Sequence, residues 1–447
     1  MKKLLTTVCS AAITLAAVAA PTITLEVAPE HRILPADTEQ EIFIRVKLAV
    51  PDATTSVRQA QKLDLAVALD VSGSMHGQNK IENAILAAQK AVDMLANGDT
   101  FCLVTYSSNA QLLIPVTVIT PSSRQSLKNT ISRVITRGNT ALYAGVSLAA
   151  DQLIEIEAAP GRVRRVILLS DGQANEGPSS PAELGHLGAQ LFRHGLTVTT
   201  IGLGNDYNED LMTALAHRGS GNFYFVGESA ELAGILESEL AATFKVVGVC
   251  DGWKAEAYRN IPIGILDSDS AELASSITID EGRTLYSGND AYWIIKAKLP
   301  PMADRSKLDI CNVTINYRDA DGKTHALSAA AQVEFSAAKA KHEKSLNSEV
   351  RGDVVLAQSA VLRAQAVEHA DAGDFSAAGM ALVAARESVL ANQDHLPASV
   401  AYDVSSSLAA DEANVQEAVR APETYKATRK EMQGKAFQER NQQVNRQ

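Results

Sequence analysis

The sequence predicts an α/β fold: a doubly wound, mostly parallel sheet inserted into a split antiparallel β-sandwich, followed by a C-terminal α-helical region. Three observations predict it. Continuous apolar runs, such as residues 65–69 and 166–169, alternate with amphipathic helical stretches over about residues 63–243. That is the pattern of a parallel sheet covered by helices on both faces. Strand-like segments flank this block on both sides, and the two N-terminal ones cannot form a stable sheet alone. From about Ala337 the composition turns to Ala, Gln, Glu, Lys and Arg at helical spacing.

The amino end, Lys2-Lys3, an apolar stretch over 4–18 and Ala17-Val18-Ala19, has the make-up of an export signal with a small-residue cleavage site. Residues 1–19 are therefore expected to be removed, and the protein to reach a periplasm, a cell surface or the exterior. Removal takes two lysines and no acid, moving the net charge from −11 to −13. No later run approaches the roughly 18 apolar residues that would span a membrane. An acidic chain with no basic cluster argues against a nucleic-acid partner.

Segments 22–27 and 41–48 alternate as strands, and 51–61 is a polar connection. The α/β block then offers helices near 79–96, 122–134, 140–156, 181–194, 209–216 and 230–244, with strands at 101–107, 110–118, 163–169, 197–203 and 222–226. Strand patterns resume at 245–257, 275–279, 292–298, 309–317 and 325–335, with Ala320-Asp321-Gly322-Lys323 as a hairpin turn. These strands are expected to join the N-terminal pair. The expected domains are thus 20–62 and 244–336 for the sandwich, 63–243 for the insertion and 337–447 for the helices. Helices at 354–370 and 375–392 form a hairpin around Asp371-Ala372-Gly373-Asp374, one tetratricopeptide-like unit. Further helices cover 398–419 and 422–437, and the last dozen polar residues are expected to fray.

The chemistry concentrates after the first buried strand, in Asp70-Val71-Ser72-Gly73-Ser74. In open α/β sheets, ligands bind at the carboxyl ends of strands. Carboxylate and hydroxyl oxygens are hard donors of the kind Mg²⁺ prefers. Gly138-Asn139-Thr140 brings another hydroxyl ahead of a helix, and Ser170-Asp171-Gly172 ends a second buried strand. Alone, Asp-x-Ser-x-Ser equally suits a helix cap.

Together these residues resemble the von Willebrand factor A domain, over about residues 63–243. The resemblance implies a Rossmann-like fold and a metal-ion-dependent adhesion site formed by Asp70, Ser72, Ser74, Thr140 and Asp171. It implies direct ligation by Ser72, Ser74 and Thr140, with Asp70 and Asp171 acting through water. The cofactor is then a divalent cation, Mg²⁺ first, with Mn²⁺ or Ca²⁺ as alternatives. The partner is a protein offering an Asp or Glu carboxylate. Asn175, Glu176 and Tyr143 are positional candidates for tuning that partner, against the plainer reading of ordinary loop residues.

The expected role is therefore an exported, cation-dependent protein-binding module in adhesion or assembly. Two other classes compete. One is a scaffold that binds through its C-terminal helices and uses the metal structurally. The other is a metal-assisted hydrolase. No general base stands near the motif, and G-x-S-x-G and G-x-x-x-x-G-K-[ST] are absent, so the expectation is a non-enzyme.

Three weaker signals are set aside. Arg351-Gly352-Asp353 reads as a helix cap, and the sequon Asn312-Val313-Thr314 falls inside a strand. His186, His194 and His217 lack ligand spacing. Cys102 reads as a core thiol, while Cys250 and Cys311 could form a disulfide in an exported protein.

Overall fold

A computed structural model describes residues 22–52, 62–156, 162–266, 273–421 and 424–442. The export signal at 1–19 and most of the 51–61 connection lie outside the described residues.

The chain opens with strands β1 (Thr24–Pro29), β2 (Ile33–Pro35) and β3 (Gln40–Ala49). Along β3, Ile42, Ile44, Val46 and Leu48 alternate into a core, the period-2 signature of a strand with one face turned inward. The α/β unit follows: β4 (Lys62–Asp70), α1 (Lys80–Met94), β5 (Thr100–Tyr106), β6 (Ala110–Val118), α2 (Pro121–Ile131), α3 (Leu142–Ile154), β7 (Arg162–Ser170), α4 (Pro181–Arg193), β8 (Thr197–Leu203), α5 (Glu209–Arg218), β9 (Ser220–Val226) and α6 (Leu232–Thr243). Its sheet order is β6-β5-β4-β7-β8-β9, parallel except for the antiparallel edge strand β6.

Strand β4 is buried on both faces, and its alternation is one of size. Leu63, Leu65, Val67 and Leu69 face a core shared with α1 and α6, while Ala66 and Ala68 face α3. The small side chains let α3 approach closely, bringing its amino end to the carboxyl edge of the sheet. Pro at the first helical position and capping boxes from Thr120 and Ser180 fix the starts of α2 and α4.

The chain then returns to β structure: β10 (Val246–Ala257), β11 (Ile263–Ile265), β12 (Ser276–Ile279), β13 (Arg283–Tyr286), β14 (Ala291–Leu299), β15 (Lys307–Asp319) and β16 (Thr324–Ser336). One sheet has the order β1-β3-β14-β11 and the other β12-β10-β15-β16-β2, with β13 pairing β10. The N-terminal strands therefore do pair with strands from beyond the α/β unit, most extensively β3 with β14. Three short strands, β2, β11 and β13, escape sequence reading because three or four residues are too few to show a period.

Helices α7 (Lys339–Lys344), α8 (Ser348–Asp371), α9 (Phe375–Ala391), α10 (Ala398–Arg420) and α11 (Tyr425–Arg440) complete the chain. Helix α8 lies on the outer face of β3 and β14, where Val350 and Val354 meet Ile294.

Three expectations are corrected. Arg351-Gly352-Asp353 is no cap: Asn347 caps α8, and the tripeptide lies inside its first turns. Arg351 pairs with Glu30 at 2.9 Å, and Asp353 pairs with the fully buried Arg45 at 2.6 Å. Cys250 and Cys311 are free. They sit on neighbouring strands, but Cys250 is opposite Tyr317 and Cys311 opposite Ala257. That offset of several residues, at roughly 3.4 Å each, far exceeds disulfide reach. Finally, residues 436–442 do not fray, while 443–447 lie outside the described residues. Ala436 and Phe437 are buried, and Gln442 donates to Tyr292 O at 3.0 Å. Helix α11 docks because its few apolar side chains find a partner in the α/β unit, where Phe437 meets Phe223 edge-on at 5.8 Å.

Candidate metal centre

Three loops meet at the carboxyl edge of the α/β sheet, and backbone hydrogen bonds lock them together. The loop after β4 is held by Val71 N to Tyr106 O at 2.8 Å and Gly73 N to Gly138 O at 3.0 Å. The loop before α3 is held by Arg137 N to Val71 O and Ala141 N to Ser107 O, both at 2.6 Å. The loop after β7 joins through Asn175 N to Thr140 O at 3.2 Å. Asn175 Oδ1 accepts from Thr140 N at 2.8 Å in return, so Asn175 clamps the Thr140 backbone.

All five oxygen-bearing side chains named from the sequence lie here. Ser72 Oγ and Ser74 Oγ are 3.0 Å apart, and Ser74 Oγ donates to Asp171 Oδ1 at 2.7 Å. A methyl group placed on Gly172 would stand 2.8 Å from Thr140 Oγ1 and 3.4 Å from Ser74 Oγ. Both hydroxyls therefore border the same small space, which only glycine leaves open. Asp70 points its carboxylate into the scaffold: Oδ1 accepts from Ser72 N at 2.8 Å and Oδ2 from Ser170 Oγ at 2.7 Å. Burial pushes its carboxyl up to about 6, against the hydrogen bonds from Ser72 and Ser170, with the nearby Asp171 charge adding to the rise.

This donor set fits a small hard cation. Adjacent oxygens of an octahedron with bonds of about 2.1 Å are roughly 3.0 Å apart, the separation of the two serine hydroxyls. Among the described residues, no three His, Cys, Asp or Glu side chains gather into a metal-binding cluster. This site instead combines three hydroxyls with two carboxylates, a set suited to Mg²⁺-type ions and poor for soft metals.

Other candidates fall differently. Glu176 Oε1 accepts from Asn139 Nδ2 at 2.9 Å at the rim of the site. Tyr143 packs towards α4, beside Leu187 and Leu191, away from the oxygens. Sequence reading missed Lys80. Its Nζ donates to Asp171 Oδ2 at 2.6 Å, with the lysine side chain 7 % exposed and that of Asp171 fully buried. A signal for it existed: a lysine at the first position of a helix opposes the macrodipole, which implies a compensating partner.

An α/β sheet with an oxygen cluster at its carboxyl edge, carried on a β-sandwich, defines a class of domain. Residues 64–238 match the profile of the von Willebrand factor type A domain. The uncharacterized Escherichia coli protein YfbK is 26% identical over 215 residues, 48% of this chain and 36% of that protein. The match thus spans about a third of that relative's length. Among solved structures, a von Willebrand factor type A protein from Catenulispora acidiphila superposes with a TM-score of 0.67 at 18% identity, covering 87% of this chain and 89% of that one. The ArnB paralog VWA2 from Sulfolobus acidocaldarius gives 0.57 at 15% identity, covering 94% and 99%. At those identities the shared property is the fold, and it extends beyond the α/β unit to most of the chain.

Proposed function

We propose that this protein is an exported, non-enzymatic binding module for adhesion or assembly, which captures a carboxylate of a protein partner through a Mg²⁺-type ion. The observation that carries this reading is the convergence of Ser72, Ser74, Thr140, Asp70 and Asp171 on one edge of the sheet. Ser72, Ser74 and Thr140 would hold the ion through neutral hydroxyls, while Asp70 and Asp171 orient them and balance charge. An ion held mainly by neutral donors stays electrophilic and favours an anionic oxygen from outside. The protein's own residues supply position: Asp70 fixes the Ser72 backbone, and Asn175 fixes that of Thr140. Export rests on the first nineteen residues, and no described helix is long and apolar enough to cross a membrane.

The test has two arms. Titration calorimetry with MgCl₂ and MnCl₂ should give one binding event, abolished in Ser72→Ala/Ser74→Ala. Capture of a partner from the native envelope should succeed in Mg²⁺ and fail in EDTA, and should fail for full-length Ser72→Ala/Ser74→Ala in either. Partner binding unchanged by EDTA would refute the metal-mediated reading.

A further inference from the structure

A cavity of about 680 Å³ lies between the amino end of the α/β sheet and the β-sandwich. Five arginines line it: Arg162, Arg164 and Arg165 at the start of β7, Arg193 at the end of α4, and Arg318 on β15. Three of these have acids of their own. Arg162 pairs with Asp64, Arg165 with Glu239, and Arg318 with Asp251. Arg193 is exposed, and neither it nor Arg164 has a carboxylate at ion-pair distance among the described residues.

Arg164 breaks a rule that the rest of the chain keeps. Six cationic side chains are buried among the described residues: Arg45, Lys80, Arg164, Arg165, Arg363 and Lys430. The other five rest on a carboxylate, as a buried charge requires. Arg164, only 9 % exposed, does not. Its Nη1 donates to His194 O at 3.2 Å and its Nη2 to Leu153 O, while its Nε has no hydrogen-bond partner. Leu153 lies in the last turn of α3, and His194 directly follows α4. Two helix ends, each worth roughly half a negative charge, thus hold the guanidinium in place. Burial still pushes it below its ordinary range. The carboxylate acting against that, Asp64, already holds Arg162 and Thr100.

The cavity's own acids do not fill the gap. Asp319 and Asp321 belong to the β15–β16 turn. Asp319 is bonded to His325 at 2.7 Å and accepts from Asp321 N and Lys323 N, and Asp321 is exposed. Beside the arginines the lining is apolar, with Val163, Phe192 and Val249. The volume suits a small organic molecule, and a guanidinium matches the oxygens of a carboxylate or a phosphate.

We infer that this cavity binds a small organic anion, whose carboxylate or phosphate head gives Arg164 and Arg193 the counter-charge they lack and whose apolar body lies against Phe192 and Val249. The cavity is at the end of the sheet away from the oxygen cluster, so the inference stands apart from the metal-mediated reading.

The experiment is titration calorimetry on the full chain in EDTA, which keeps a metal ion from capturing the probe. The probes are hexanoate, with a carboxylate head, and phenyl phosphate, with a phosphate head. Hexanamide, similar in shape to hexanoate but uncharged, is the control. At least one probe should give a single binding event, hexanamide should give none, and the probe that binds identifies the head group. Arg193→Ser, at an exposed side chain, should weaken binding about two- to fivefold. Arg164→Met should weaken it about 10–100-fold. Arg164 also caps two helices, so that variant is checked by thermal melting, and Arg193→Ser with hexanamide decides if it is unfolded. Ser72→Ala/Ser74→Ala should bind the probe as wild type does. No binding of either probe at up to about 10 mM would overturn the inference. So would binding that hexanamide matches, or that the folded arginine variants leave unchanged. Binding lost in Ser72→Ala/Ser74→Ala would place the anion at the oxygen cluster and overturn it as well.

Discussion

Replacing Glu239 by Gln tests how the α/β unit is held together beneath the site. Glu239 on α6 and Arg165 on β7 are both fully buried and form an ion pair. Arg165 also donates to Thr197 Oγ1 and Tyr286 OH, each at 3.1 Å. Glu239 accepts from Thr199 at 2.6 Å, Asn222 at 2.6 Å and Tyr224 at 2.8 Å. Burial alone would raise the Glu239 carboxyl; Arg165 and these three donors outweigh that and hold it below the ordinary range. Glu239→Gln removes the charge, and its amide nitrogen must face donors on one side or the other. Arg165 is left without its counter-charge, a change that costs about 3–5 kcal/mol at buried pairs. At roughly 2–4 °C per kcal/mol for a unit of this size, Tm should fall by about 10 °C. Both tryptophans, Trp253 and Trp293, lie in the sandwich strands β10 and β14. Far-UV circular dichroism should therefore lose the α/β signal in urea before tryptophan fluorescence reports the sandwich. The double variant Arg165→Met/Glu239→Leu removes both charges and should recover most of the loss, since apolar replacements of buried pairs are often neutral. A Glu239→Gln variant within about 0.5 kcal/mol of wild type would refute the reasoning.

Two further outcomes are expected. Gly172→Ala places a methyl group against Thr140 Oγ1, so calorimetric ion affinity should fall about 10–100-fold, with a stability cost of about 1–3 kcal/mol in thermal melts. For pH, His217 chiefly, with Arg218 and against the effect of burial, holds the Glu281 carboxyl down to about 2. A carboxyl lower in the folded than in the unfolded state adds stability that is present above about pH 4.5 and lost as pH falls towards 2. The three side chains are about a third or more exposed, so screening limits the contribution to about 1 kcal/mol. Glu281→Gln should be less stable than wild type at pH 6 by that amount, and the difference should close as pH falls through about 2. A constant difference across that range would show that the pair's charge is irrelevant.

Much of this architecture was legible because it is written in local patterns. Residues 65–69 and 166–169 are apolar without interruption, which a strand covered on both faces requires, and 197–203 was bounded correctly because glycines at 195 and 204 flank it. The site was legible for a related reason: Asp70, Ser72, Ser74 and Asp171 follow immediately on buried strands and Thr140 stands just ahead of a helix, so the sheet's edge brings them together. What stayed hidden depends on distant surfaces. Arg45 is fully buried because α8, some three hundred residues later, covers β3 with Glu349 and Asp353. Read alone, Arg45 is an ordinary outward residue of an alternating strand. The Cys250–Cys311 question turned on register between β10 and β15, and register follows from turns and bulges at Cys250–Gly252 and Asp309–Cys311 that no periodicity records.

The return of α11 to the α/β unit also limits how the candidate site can be approached. The insertion joins the sandwich at its other end, since Arg165 near the start of β7 reaches Tyr286 and Val246 pairs with Tyr286. That leaves the carboxyl edge clear of the sandwich, but not of the helices. Lys430 is buried against the loop after β8, donating to Tyr207 O at 2.5 Å and pairing with Glu209. Arg429 binds Glu209, Asp210 and Asp371 together, tying that loop to α8. Gly204, in the same loop, supports the Lys80 stem. The loop behind Lys80 is thus braced by α8 and α11. The opposite rim, with Arg137, Asn139 and Asn175, is exposed. The helical region, which from sequence alone competed with the oxygen cluster as the binding element, braces a loop that stands behind it.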